Sequence, residues 1–69
     1  MSIMPYLDGF KFDSETKRVM GVAFEMTLAA LRLQNWTEPS KEIVAKKLIV
    51  LANEGMRDPN LLCEWTLVV

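Results

Sequence analysis

Covalent chemistry needs a nucleophile with a base beside it. The nucleophiles in this chain are Cys63, Ser2, Ser14, Ser40, the threonines and the lysines. The chain has no histidine, the side chain that most often serves as general base and metal ligand. Cys63 falls beside Leu61 and Leu62 with no visible base, so a small buried hydrophobe accounts for it better than a reactive thiolate. A lone cysteine cannot form an internal disulfide, and without a CxxC or Cys/His companion a structural zinc site is not expected. Glu54 and Asp58 flank Gly55 as a carboxylate pair, but helix capping and solvation explain both better than acid–base work. Gly9, Gly21 and Gly55 are too scattered to form a phosphate-binding loop. The expectation is therefore no catalytic residue, no cofactor and no metal.

What these residues do instead depends on the elements that carry them. Asp58-Pro59 is the clearest helix start in the chain, a capping carboxylate followed by proline at the first helical position. A third helix over about 59–68 follows, with Leu61, Leu62, Trp65 and Val68 on its apolar face. Gly55 is placed to end a second helix over about 40–54, with Met56 behind it able to touch Leu51. That helix starts near Thr37 or Ser40 and tolerates Pro39 in its first turn. Its core stripe reads Ile43, Val44, Ala45, Leu48, Ile49, Leu51 and Ala52, while Lys41, Glu42, Lys46 and Lys47 face water. Asp13 caps a first helix over about 14–35, and Glu15 adds negative charge at the positive end of its dipole. Residues 1–12 form a non-helical arm: Pro5 opposes an early helix, Asp8-Gly9 signals a turn, and Phe10-Lys11-Phe12 alternates. The arm is too apolar to float free. The predicted fold is all-α, with a three-helix domain over 13–69 and the arm lying across it or across a neighbouring subunit.

Sixty-nine residues allow one small domain. A chain of this length buries only about 60% of the surface its unfolded form exposes, so oligomerisation is a natural supplement to its core. Composition is that of a folded protein, 51% hydrophobic and 25% charged. Net charge is −1, which gives no electrostatic case for nucleic acid or an anionic membrane. The opening MSIMPYLDGF lacks the basic and apolar regions of a secretory signal. Its longest apolar run is far below the roughly 20 residues needed to span a bilayer. A soluble, cytoplasmic protein is expected.

The stretch VMGVAFEMTLAALRL, residues 19–33, is the part least easily explained by a monomer. On a helical wheel Arg18, Gly21, Glu25 and Arg32 share one narrow sector, and apolar residues occupy most of the rest. A surface helix needs an apolar stripe only about 100° wide. Either the arm and two short helices cover the excess, or a second copy of the chain does. The second reading is preferred, with Val22, Met26, Ala29, Leu33 and Trp36 as the interface and small residues such as Ala29 permitting close approach. For Trp36, in the connection between helices, packing under the arm competes evenly with an interface role.

The segments FDSETKRVMGVAFEM and AKKLIVLANEGMRDPNLLCEWTL resemble a family of short uncharacterised alphaproteobacterial proteins, common in rhizobia and their relatives. The matching positions are Phe12, Asp13, Glu15; Ala23, Phe24, Glu25; Ala45, Lys46, Ile49; Gly55, Arg57, Asp58; and Leu61, Leu62. Met56 departs, standing where the family pattern often has Glu. The resemblance spans residues 12–67 and implies no activity, cofactor or catalytic residue. Most matching positions are the caps and core already read from the residues. Glu25 and Arg57 are the exceptions, and a structural ion pair between them, within or across subunits, is expected.

The functional expectation is a small protein-interaction or regulatory module that acts as a homodimer, without catalysis, on a protein partner. The alternative is a DNA-associated regulator using helix 2, the turn and helix 3 as a helix-turn-helix. Helix 3 would then present Asn60, Glu64 and Thr66, with no basic residue after Arg57. That chemistry suits a phosphate backbone poorly. A gel-shift titration of random duplex at low ionic strength is expected to show no retained complex; salt-sensitive retention would instead establish the DNA reading.

Overall fold

The structure, a computed structural model, describes residues 3–31 and 38–67. Among them the chain forms three α-helices and no strand: α1 Ser14–Leu31, α2 Glu38–Asn53 and α3 Pro59–Leu67. The expected continuation of α1 to residue 35, and that of α3 to residue 68, lies outside the described residues.

Each helix boundary has a local cause. The Thr16 amide donates to Asp13 Oδ1 at 2.7 Å, filling one of the donors that the first turn leaves open. Asp58 does the same for α3, accepting from the amides of Asn60 at 2.8 Å and Leu61 at 3.3 Å. α2 begins before Ser40, which sits inside the helix and is not its cap. It ends in a Schellman arrangement: the Gly55 amide reaches the Ala52 carbonyl at 3.0 Å and the Met56 amide reaches Leu51 at 3.1 Å. Gly55 takes φ +107°, a backbone conformation closed to most side chains. Leu51 and Met56 are both half-buried against the core, as the motif's apolar contact requires.

The arm corrects one expectation. It is not wholly non-helical: Met4–Leu7 form a single 3-10 turn, with the Tyr6 amide bonded to the Ile3 carbonyl at 2.9 Å. Pro5 starts this turn rather than preventing one, because its fixed φ suits a first turn and its missing N–H would have had no partner there. The turn puts Ile3 and Leu7 on the same side, and both are buried in the core of their own chain. The Tyr6 ring packs on Phe24 with centroids 6.1 Å apart. The arm is thus packed in cis.

One core joins all four segments. From α1 it takes Val19, Met20, Ala23, Phe24 and Leu28; from α2 Val44, Ala45, Leu48, Ile49 and Ala52; from α3 Leu62. Thr27 is buried among them, and its hydroxyl donates to the Ala23 carbonyl at 2.8 Å, a back-bond that removes the cost of enclosing it. Thr66 Oγ1 is the one buried side-chain oxygen without a hydrogen-bond partner among the described residues.

Nothing stands within 4 Å of a Cβ built on Gly55, so a substitution there meets only the backbone penalty. Gly55→Ala is expected to lower unfolding stability by about 1–2 kcal/mol in urea titration, and Gly55→Asn by less, since Asn tolerates left-handed backbone better.

Candidate interaction surface

Cys63 is buried. Among the described residues no group of three His, Cys, Asp or Glu side chains could hold a metal ion. No described helix is long and apolar enough to cross a membrane. What the surface offers is apolar area in two places.

The first is on α1. The buried arc of this helix is Thr16, Val19, Met20, Ala23, Phe24, Thr27 and Leu28. Val22 remains 39% exposed, Met26 half-buried and Ala29 exposed, one stripe along the edge of that arc. Leu33 and Trp36, expected to extend the stripe, lie outside the described residues. Glu25 and Arg18, both exposed, border it with charges of opposite sign. Arg18 is held by Glu15, its guanidinium donating twice to the carboxylate at 2.6 Å and 3.1 Å.

The second place runs over α2 and α3, and here two expectations are corrected. Ile43, expected in the core stripe, is 63% exposed, and Val50 is 57% exposed beside it on the same side of the helix. They lie seven residues apart, about two turns, on the side of α2 opposite Val44, Ala45, Leu48 and Ala52. The periodicity of a helix allows only one arc to face inward, and in the runs IVA and LIVL the interior went to the other members. On α3, Leu62, Cys63 and Thr66 took the buried arc, which leaves Leu61 exposed and Trp65 55% exposed. Between the two helices lies a groove of about 300 Å³ lined by Val50, Leu51, Trp65, Lys46 and Lys47. On the other side of Val50 a second depression is lined by Pro5, Tyr6, Phe10 and Ile49, with Glu42, Lys46 and Asn53 at its edges. Lys46 pairs with Glu42 at 3.3 Å, the expected i,i+4 contact, and the Lys47 ammonium donates to the Thr66 carbonyl at 3.3 Å.

The structure does not bring Glu25 and Arg57 together within the chain. The Arg57 guanidinium donates to the carbonyls of Ala52 and Met56, closing the end of α2. It also lies near enough to Asp13 to act on its charge. Glu25 stands three turns further along α1, about 18 Å from Asp13 at 1.5 Å per residue. Chain geometry gave Arg57 backbone carbonyls to satisfy, and residue types alone did not reveal that.

Comparison with family models, with curated proteins and with solved structures returned no match. The reading of the surface therefore rests on its own chemistry.

Asp13 carries a pH prediction. Hydrogen bonds from the Thr16 side chain and backbone hold its carboxyl below the ordinary value of 3.8, with a smaller contribution from the Arg57 charge. A carboxyl lowered in the folded state adds stability above its unfolded pKa and loses it as pH falls through the folded one. In acid denaturation followed by circular dichroism, Asp13→Asn is expected to flatten the loss of stability below about pH 4, leaving the neutral region lower than in the parent.

Proposed function

We propose that this chain is a small cytoplasmic binding module that works as a homodimer joined through α1, and that it acts by holding a protein partner rather than by catalysis. The observation that carries the reading is the apolar stripe of Val22, Met26 and Ala29, which the described arm and helices leave exposed at Val22 and Ala29 and half-covered at Met26. A second copy is the occupant that suits it best. The stripe itself is uncharged, Ala29 and the neighbouring Ala30 allow helix backbones to approach closely, and the bordering charges are of both signs. Twofold dimers are the commonest assemblies, and their interfaces resemble a core divided in two. A protein of this size also has the most to gain from sharing apolar surface.

The absence of histidine and the burial of Cys63 favour binding over catalysis, and a single reduced cysteine agrees with a reducing compartment. The DNA reading gains nothing, since the exposed side of α3 presents Asn60, Leu61, Glu64 and Trp65.

Sedimentation equilibrium over a wide concentration range tests the dimer. The parent is expected as a dimer, and Val22→Asp with Ala29→Glu is expected to weaken association at least tenfold while helix content by circular dichroism is retained. A clean monomer at the highest concentration overturns the proposal, as does a dimer that the double variant leaves intact.

A further inference from the structure

The outer face of α2 is built unlike a solvated one. A helix side turned away from its core ordinarily carries polar residues, yet Ile43 and Val50 stand at its centre with Trp65 beside them. Val50 forms a ridge with an apolar depression on either side, the α2–α3 groove toward Trp65 and a larger one toward Phe10. A ridge between two grooves is the relief into which another helix packs its own side chains. The charges at this relief are equally particular. Lys46 and Lys47, adjacent in sequence, point to opposite flanks of the stripe, and both border the groove, whose lining includes no carboxylate. The Lys46–Glu42 pair is between exposed side chains, where such contacts are weak and readily exchanged for another carboxylate.

The charge pattern selects the occupant. Lys46 and Lys47 lie at the midpoint of the stripe from Ile43 to Val50. A twofold pairing of two copies centred on the stripe, parallel or antiparallel, would therefore gather four ammonium groups at one height on the axis. Like charges so placed repel, so this face is unsuited to the self-association assigned to α1. A flat anionic membrane is a poorer match than a protein, because the relief is grooved, with a depression on either side of Val50. We propose that the α2–α3 face docks an acidic amphipathic helix of a partner protein, with apolar side chains over Val50 and against Trp65 and carboxylates on Lys46 and Lys47. This rests on the reading of the chain as a binding module, and not on its dimer interface.

The experiment is selection of a random 16-residue peptide library displayed on phage against the parent protein, followed by titration of the enriched peptides by fluorescence anisotropy. Enriched sequences are expected to carry Asp and Glu around apolar residues spaced three and four apart. Their affinity is expected to fall at least tenfold for Lys46→Glu with Lys47→Glu and for Val50→Asp, and to be unchanged for Val22→Asp with Ala29→Glu. Circular dichroism of each variant checks that the helices persist, and Ile43→Asp, at the most exposed position of the face, serves if Val50→Asp does not fold. Peptides without acidic bias, no enrichment, or equal binding to the charge-reversed protein would overturn the proposal. So would binding of the parent to phosphatidylglycerol vesicles through the same residues, or loss of the dimer on Val50→Asp, which would give the face to a membrane or to a second copy. Because the α1 variant is followed in parallel, failure of the dimer and failure of this site are read separately.

Discussion

Phe24 and Met20 sit at the middle of α1 with no exposure to solvent, and enclosing them takes every other described segment of the chain. α2 contributes Leu48, α3 contributes Leu62, and the arm contributes Ile3 while Tyr6 lies against the Phe24 ring. Full burial of side chains of this size is worth about 1.5–3 kcal/mol each, a large share of what a small domain has available. The helix ends follow from the same demand. Gly55, the Arg57 guanidinium on the last carbonyls of α2 and the Asp58 cap turn the chain within a few residues, so that α2 and α3 can both face α1.

That demand is also what leaves the surface as it is. Two short helices and one turn cover a single arc of α1, and the geometry that points Leu48 and Leu62 inward points Val50 and Trp65 outward. The chain is thus apolar on two outer faces with different electrostatics. One has an uncharged stripe bordered by both signs, and the other is centred on two adjacent lysines. Association through the first would leave the second free, so the two can be occupied together.

Much of this was legible in the sequence because the signals are local. Asp13, Asp58-Pro59 and Gly55 announce helix ends through hydrogen bonds made two or three residues from themselves, and the structure places each boundary there. The 3-10 turn in the arm is less legible, because Pro5 opposes a continuing helix there yet costs nothing at the start of a single turn. The second apolar face was missed for a different reason. In the run Ile43-Val44-Ala45 every residue is apolar, so residue type cannot say which will face the core, and packing chose Val44 and Ala45 over Ile43. Arg57 shows the same limit: its type suggests a carboxylate partner, but the acceptors within its reach are carbonyls.

The arm's docking has an entropic consequence. The α2–α3 hairpin is joined by five residues and needs only local closure, whereas Ile3 and Leu7 must find α2 across more than thirty residues of chain. Closing a loop of that length carries an entropy cost that the local α2–α3 pair does not have. One short closure and one long closure thus meet in the same core, and the long one is the more costly to complete.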